Sequence, residues 1–249
     1  MSGALTAGGW GLFAGAALLL GATIGSLMRV PPRLIALVMA FGSGVLMAAV
    51  SFELIAEAYE RSGIWPVVAG AVGGAAVYSG ANALLARHGA QHRKRSGDAQ
   101  PSEDEAPGSG NAIALGALLD GIPESVVIGT SLLGGGHLGV ATVGAVFISN
   151  IPEGLASSAG MRSAGRSRTY VFALWGGIAV VSGLAALAGY ALLGGASEAA
   201  MAVITAVAGG AILAMIADTM IPEAYSRVHL LTGLVTVVGF LSAFALSHL

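Results

Sequence analysis

The chain has 249 residues, of which 55% are hydrophobic and only 10% are charged, whereas a soluble domain carries roughly 25% charged residues. This composition predicts an all-α integral membrane protein, and the 11 scattered Lys and Arg residues, with a net charge of −2, exclude the basic stripe of a nucleic-acid-binding protein. The 39 glycines lie inside apolar runs, which excludes collagen and disorder, and the absence of Cys excludes disulfides and thiolate metal sites.

Eight apolar stretches are each long enough to cross a bilayer, for which about 20 residues are needed. We expect them to form a single transmembrane domain over residues 1–249. The first stretch is too long for a signal-peptide core and no basic region precedes it, so we expect it to be retained. The predicted spans are about 4–27, 34–58, 63–86, 111–134, 138–160, 169–194, 199–224 and 229–247.

The positive charges predict the orientation of these spans. Ten of the 11 Lys and Arg residues lie in the connections after spans 1, 3, 5 and 7, and only Arg61 lies on the other side. By the positive-inside rule, both termini face outward from a plasma or inner membrane. The polar connection at 88–110 is then a cytoplasmic linker, and its composition predicts flexibility. We expect His88 and His92 within it to be solvated.

Acidic residues are unusually frequent inside the apolar stretches. No Lys, Arg or His lies deep in those stretches to pair with them, and a charge at bilayer depth costs at least about 2.5 kcal/mol. The acids therefore indicate a bound cation, bound protons or a water-filled path. For a single acid near a helix end, a protonated carboxyl that joins two helices stays an alternative. The seven residues are Glu53, Glu57, Asp120, Glu124, Glu153, Asp218 and Glu223.

A repeated tripeptide accounts for four of these acids. Ile-Pro-Glu occurs at 122–124, 151–153 and 221–223, and Ile-Ala-Glu occurs at 55–57. A proline inside a helix leaves the carbonyl four residues earlier without its hydrogen bond, so oxygen acceptors gather near the acids. A kink alone would be the simpler explanation, but the same offset between proline and carboxylate in adjacent spans favours a binding site.

Helical spacing predicts which side chains converge. Asp120 and Glu124 share a face of span 4 as i and i+4, while Asn150 and Glu153 share a face of span 5 as i and i+3, with Ser149 one turn before Glu153. All of them lie near the middle of the bilayer, where carriers bind their substrates. The expected site contains three carboxylates, an amide and a hydroxyl.

An internal repeat relates spans 2 and 7. Residues 43–61 match residues 209–227 at an offset of 166, with identical Gly44 and Gly210 and the identical tripeptide Glu-Ala-Tyr. Because they are five spans apart, the two copies should cross the membrane in opposite directions, as inverted repeats do in secondary transporters. Spans 4 and 5 are opposed in the same way.

These features together resemble the ZIP family of divalent-metal transporters. The resemblance rests on eight spans, a long cytoplasmic linker after span 3, and proline–carboxylate motifs in spans 4 and 5. It implies that Asp120 stands at the family's span-4 histidine, Glu124 at its glutamate, and Ser149, Asn150 and Glu153 at the metal-binding positions of span 5. Ser182 stands where many members have a second bridging glutamate in span 6.

The resemblance implies a carrier of divalent cations toward the cytoplasm, with zinc the first expectation. An all-oxygen shell without histidine also suits iron or manganese, and the loss of the bridging glutamate favours one bound ion. No prosthetic group and no enzyme activity are expected, and a homodimer stays open as the assembly. By the same resemblance, spans 1, 4, 5 and 6 would move against the other four.

Acids outside the central cluster are predicted to line the route. Glu53 and Glu57 end span 2 on the outer side, and Asp218 and Glu223 end span 7 on the inner side. Two alternatives stay open: a proton-linked carrier of another cation, and an intramembrane aspartyl protease that uses Asp120 and Asp218 as a dyad. The protease lacks support because no Gly-x-Gly-Asp segment precedes Asp120.

Overall fold

A computed structural model of the protein describes residues 2–88, 90, 93–96, 100–134 and 137–247. These residues form helices and connections with no β-strand, which confirms the all-α fold. The helices are α1 (Ser2–Leu27), α2 (Pro32–Ala49), π1 (Val50–Ile55), α3 (Ala56–Ser62), α4 (Ile64–Ala86), α5 (Ser109–Ser131), α6 (His137–Ser163), α7 (Arg168–Leu193), α8 (Glu198–Met215), π2 (Ile216–Met220), α9 (Ile221–Val228) and α10 (Leu231–Ser247), with a short 3₁₀ turn at Leu132–Gly134.

Within the described residues, six helices are long and apolar enough to cross a membrane. They are α1, α4, α5, α7 and two continuous 31-residue helices, which we call the α2–α3 helix (Pro32–Ser62) and the α8–α9 helix (Glu198–Val228). The prediction of a membrane protein is confirmed at this level. The fifth predicted span corresponds to the 27-residue helix α6 and the eighth to the 17-residue apolar helix α10. The count of eight spans stays a prediction.

Both 31-residue helices change to π-helical geometry at matching positions. The π-helical segments begin at Val50 and Ile216, which are separated by the same offset of 166 that relates the two sequences. One segment carries Glu53 and the other carries Asp218. Single π-helical turns inside α-helices are frequent at functional sites.

Glycine allows two close helix contacts that also match in sequence. A Cβ atom at Gly44 would overlap the carbonyl oxygen of Thr236 in α10, and a Cβ atom at Gly210 would overlap the carbonyl oxygen of Ala71 in α4. Small residues let membrane helices approach backbone to backbone and gain van der Waals contact. The α2–α3 helix therefore packs on α10 as the α8–α9 helix packs on α4.

The helices fall into two groups by the extent of their contacts. In one group α1 packs against α6 and α7, and α5 packs against α7. In the other group α2 packs against α10, and α4 packs against α8. The groups meet mainly where α2 lies against α6 and where α5 lies against α8. The acidic side chains of α5 and α6 thus lie in the first group and face the second.

Candidate functional site

Asp120 lies near the middle of α5 and is only 1% exposed. Its Oδ1 accepts a hydrogen bond of 2.6 Å from the hydroxyl of Tyr78 in α4. The guanidinium of Arg93 contacts both carboxylate oxygens, with Nε 2.8 Å from Oδ2 and Nη2 2.8 Å from Oδ1. Arg93 also donates from Nη1 to Asn82 Oδ1 at 2.8 Å. A two-point guanidinium contact of this kind is among the stronger charge-assisted arrangements.

Lys94 joins the acids of α5 and α6. Its Nζ lies 2.8 Å from Glu153 Oε2 and 3.3 Å from Asp120 Oδ2, as an ion pair that is not aligned as a hydrogen bond. Burial by itself lowers the pKa of Lys94, but the charges of Asp120 and Glu153 outweigh that effect, so the pKa lies above its ordinary value. The side chain is therefore an ammonium ion, fully inside the bundle, between two carboxylates.

Glu124 completes the acidic cluster and forms no ion pair with the residues that the structure describes. It lies one turn after Asp120 on α5, is 2% exposed, and its Oε1 is buried with no hydrogen bond to any described residue. A buried carboxyl oxygen without a partner is costly. The cluster thus contains three carboxyl groups, Asp120, Glu124 and Glu153, against the two cations Arg93 and Lys94.

The linker carries both cations into the bundle and is held there by further bonds. The backbone N–H and the hydroxyl of Ser96 each donate to Glu223 Oε1 at 2.9 Å. Gln100 donates from Nε2 to the carbonyl oxygen of Ser157 in α6 at 3.1 Å. Arg93, Lys94 and Ser96 are at most 2% exposed. These contacts differ from those expected of a flexible linker.

Sequence reasoning missed Arg93 and Lys94 because the positive-inside rule predicts only the side of the membrane on which a loop lies, and does not predict whether its Lys and Arg side chains fold back into the bundle. The sequence signal that could have identified them was the balance of charge between the apolar helices and the linker. Several acids in apolar helices lacked a basic partner, and the densest run of positive residues, 93–95, lay in a linker long enough to fold back. The missing partners of the acids therefore come from a connection instead of a helix.

Two other residues of the predicted central site, Ser149 and Asn150, form hydrogen bonds outside the acidic cluster. Asn150 donates from Nδ2 to the carbonyl oxygen of Ala14 in α1 at 2.9 Å, and Ser149 donates to the carbonyl oxygen of Val146 within its own helix at 3.0 Å. Both are buried. The position of Ser182 is close to the site, since a Cβ atom at Gly121 would lie 3.8 Å from its hydroxyl.

No metal-binding arrangement is formed in the part of the chain that the structure describes. Within it, no three His, Asp or Glu side chains converge in a way that could hold a metal ion. His88 is exposed, with its ring Nδ1 3.3 Å from the carbonyl oxygen of Leu84, and His92 lies outside the described residues. The space between the carboxylates of Asp120 and Glu153 contains the ammonium of Lys94 instead.

The two acids predicted on the outer side have different environments. Glu53 is 5% exposed, accepts hydrogen bonds from the hydroxyls of Thr142 (2.7 Å) and Ser247 (3.0 Å), and lines a cavity of about 180 Å³. Glu57 forms an ion pair with Arg61 one turn later in the same helix. Neither contacts the central cluster through a hydrogen bond or ion pair in the described structure.

The two acids predicted on the inner side also separate. Glu223 is 1% exposed and binds Ser96 of the linker, as described above. Asp218 is exposed and accepts a bond of 3.4 Å from the hydroxyl of Ser79. Asp120 and Asp218 share no hydrogen bond among the described contacts, and one is buried while the other is exposed. This arrangement does not resemble two aspartates that share a proton.

Comparison of the sequence with protein-family models gives no match, and comparison with curated protein sequences gives none either. The resemblance to the ZIP transporters therefore rests on the residues and spans quoted above. Any function must be argued from the buried acidic cluster and from what binds it.

Proposed function

We propose that the protein is a secondary transporter that moves divalent metal cations toward the cytoplasm, with Asp120, Glu124 and Glu153 as the central binding groups. The observation that carries this proposal is the ammonium of Lys94, which lies 2.8 Å and 3.3 Å from carboxylate oxygens of two different helices. A buried cluster that binds a tethered cation has the electrostatics to bind a free one. Carboxylate oxygens are suitable ligands for zinc, iron and manganese.

The charge of the tethered groups supports a divalent cargo. Arg93 and Lys94 bring two positive charges to the cluster, which is the charge of one divalent cation. When such an ion binds, both side chains can leave without changing the net charge of the site. Because unpaired charge at bilayer depth is so costly, an exchange of equal charge keeps the barrier between the two states low.

The linker would then close the inner route in the state described by the structure. Ser96 and Gln100 bind Glu223 and the carbonyl oxygen of Ser157, so the segment covers the cluster from the side predicted to be cytoplasmic. Release of this segment would uncover Glu124 and Glu153 to water. Asn150 and Ser149 would complete the metal shell only after they leave their present partners, Ala14 and Val146.

Alternating access is supported by the two helix groups and by the matched long helices. The first group, α1 with α5, α6 and α7, is the set of spans 1, 4, 5 and 6 that the family resemblance predicts to move together. The π-helical segments and the glycine contacts recur at the offset of 166. We propose that these helices are inverted repeats, with Glu53 and Glu57 on the outer route and Asp218 and Glu223 on the inner route.

A carrier of organic cations is the second candidate. The observation in its favour is that Asp120 binds a guanidinium through both oxygens and also accepts the hydroxyl of Tyr78. A free amine or guanidinium compound could form the same contacts. This candidate differs from the first in the role of Glu124, which has no part in binding the guanidinium.

Uptake into proteoliposomes tests the proposal and separates these candidates. Wild type should take up Zn²⁺, Mn²⁺ or Fe²⁺, and the double variant Glu124→Gln, Glu153→Gln should lose this uptake because two of the three carboxylates are gone. Glu198→Gln is the matched control, since Glu198 is an exposed acid in the first turn of α8. Normal metal uptake by a well-folded double variant would contradict the proposal. Uptake of guanidinium compounds alone would favour the second candidate.

A further inference from the structure

A second polar region lies apart from the acidic cluster, where the end of α1, the start of α2, the end of α6 and the start of α7 meet. It is a cavity of about 570 Å³, lined by three arginines, Arg29, Arg162 and Arg168, with no acidic side chain. Its size falls in the range of about 300–1,000 Å³ that is typical of small-molecule sites. All three arginines belong to connections predicted to face the cytoplasm.

The three arginines have no acidic partner among the residues that the structure describes. None of the ion pairs between described residues involves Arg29, Arg162 or Arg168. Arg162 donates one hydrogen bond to the carbonyl oxygen of Arg166, which leaves its charge uncompensated. Several positive charges around one cavity repel each other, so a bound anion would lower their electrostatic energy. The planar guanidinium fork matches a phosphate group well.

A buried hydroxyl in the same cavity gives an independent indication of a ligand. Ser26 is 9% exposed, lines the cavity, and its Oγ is buried with no hydrogen-bond partner in the part of the chain that the structure describes. Thr23, about one turn earlier in α1, shows the ordinary alternative, because its hydroxyl donates to the carbonyl oxygen of Leu19 at 2.7 Å. A phosphate oxygen would accept the unused hydrogen bond of Ser26 once this hydroxyl rotates from its buried position toward the cavity.

The apolar neighbours of the cavity favour a lipid as the source of this phosphate. Leu27 and Met28 line the cavity beside Arg29 and are 56% and 63% exposed. Exposed apolar side chains next to arginine at the end of a membrane helix are typical of the interface between headgroups and acyl chains. A phospholipid would place its phosphate among the arginines and its chains along Leu27 and Met28.

We propose that this cavity binds the phosphate group of an anionic phospholipid in the leaflet predicted to be cytoplasmic. The site is separate from the proposed transport site. Because α2 belongs to one helix group and α1, α6 and α7 to the other, a lipid bound there would contact both groups.

Lipid binding to the full-length protein in mild detergent tests this proposal, by native mass spectrometry or by the rise in unfolding temperature. Three probes are compared: phosphatidylglycerol, phosphatidylcholine and inorganic phosphate. Phosphatidylglycerol should bind at least about tenfold more tightly than phosphatidylcholine, given about fivefold for each arginine near the headgroup. Inorganic phosphate that binds as tightly as phosphatidylglycerol would overturn the assignment to a lipid.

Variants identify the cavity as the binding site. Arg29→Gln and Arg162→Gln should each weaken phosphatidylglycerol binding by about fivefold. Ser26→Ala should weaken it by about threefold to tenfold, with an unchanged unfolding temperature in the absence of lipid, because its hydroxyl makes no bond there. The control is Arg87→Gln, an exposed arginine on the same predicted side and outside the cavity. If Ser26→Ala and Arg29→Gln bind this lipid as tightly as Arg87→Gln does, the proposal is wrong. Metal uptake does not enter this experiment.

Discussion

The α2–α3 and α8–α9 helices carry matching sequence but differ in what binds their second glutamate. Glu57 forms an ion pair with Arg61 one turn later. Glu223, at the equivalent position, accepts two bonds of 2.9 Å from Ser96 of the linker. Arg227, the equivalent of Arg61, donates instead to the carbonyl oxygen of Ser96 at 3.2 Å.

This difference shows that the linker takes the place of an ion pair within the helix. The α2–α3 helix shows the pair that the Glu-Ala-Tyr-x-Arg sequence forms by itself, a partly buried contact between residues i and i+4. In the α8–α9 helix the same two side chains both bind the linker. Only one of the two equivalent ends is therefore covered, and it is the end predicted to face the cytoplasm. On our proposal this end is the inner gate of the transport route.

The largest effect should come from loss of the Lys94 charge. In Lys94→Gln, the carboxylates of Asp120 and Glu153 lose their shared ammonium, and breaking such a buried pair costs about 3 kcal/mol of the free energy of unfolding. Because the tethered cation no longer competes, we expect divalent cations to bind at least about tenfold more tightly. Chemical unfolding and equilibrium binding of Zn²⁺ and Mn²⁺ measure the two effects.

The control for Lys94→Gln is Arg61→Gln, which removes a positive charge from the uncovered helix end. Arg61 and Glu57 are a partly buried pair at i and i+4. A helical pair of this spacing contributes only about 0.3–0.5 kcal/mol, so both measurements should stay close to wild type. A Lys94→Gln variant with wild-type cation affinity would show that Lys94 does not compete for the site.

Substitution of the two equivalent glutamates compares the helix ends directly. Glu223→Gln weakens charge-assisted hydrogen bonds to Ser96, each of which contributes about 1.5–3 kcal/mol. The linker should therefore be released at least about tenfold more often than in wild type. Glu57→Gln loses a helical pair of about 0.3–0.5 kcal/mol and leaves the linker in place. Limited proteolysis within 88–110 measures release. Equal cleavage of the two variants would contradict the asymmetry.

Substitution of either matching glycine, Gly44 or Gly210, should lower the free energy of unfolding by a similar amount. Ala at Gly44 or at Gly210 places a Cβ atom against a backbone carbonyl oxygen of the neighbouring helix, so each variant should lose about 1–3 kcal/mol of the free energy of unfolding. Gly73→Ala is the control, because nothing lies within 4 Å of a Cβ atom there. A large loss for only one of the two variants would argue that the helices do not pack equivalently.

The smallest expected effect is a pH dependence at a second contact of the linker, which Glu103 forms with the backbone near the start of α5. Glu103 accepts hydrogen bonds from the backbone N–H groups of Gly108 (2.8 Å) and Gly110 (2.6 Å), and these bonds, with the charge of Arg166, lower its pKa. A carboxyl with a lowered pKa stabilises the folded state above its ordinary pKa, and this contribution is lost as the pH falls through the lowered value. Below about pH 4 the amide hydrogens at the start of α5 should therefore be less protected than at pH 7, with each exchange rate compared with the intrinsic rate at the same pH. Glu103→Gln should remove that pH dependence, and a variant that keeps it would contradict this role.

The apolar helices could be predicted because a bilayer requires about 20 apolar residues for each span, and this pattern is local. The π-helical segments could not. Val50–Ile55 contains neither Gly nor Pro, so nothing in its composition marks the change of helical geometry. The matching start at Ile216 becomes visible only when both structures are compared at the offset of 166.

The three carboxyl groups predicted for the central site, Asp120, Glu124 and Glu153, are each buried. Their role as metal ligands stays a prediction. The sequence pattern could not show that Asn150 donates to Ala14, because its helical face touches α1 as well as the cluster. It also could not show that Lys94 enters the bundle, because a linker has no periodicity from which its contacts can be derived. Both of these contacts, which the sequence did not predict, join segments that lie far apart in the chain.

The central claim is that a divalent cation and the linker compete for the same carboxylates, and one thiol reports on it directly. The chain has no Cys, so Ser157→Cys introduces a single thiol. Ser157 is buried, its hydroxyl has no partner among the described residues, and its carbonyl oxygen is bound by Gln100 of the linker. The measurement is the rate at which a water-soluble maleimide labels this thiol, with and without Zn²⁺ or Mn²⁺, and with Glu223→Gln as the variant in which the linker is expected to be released. We expect slow labelling without the cation and labelling at least about tenfold faster with it. An unchanged rate at cation concentrations that saturate binding would contradict the account.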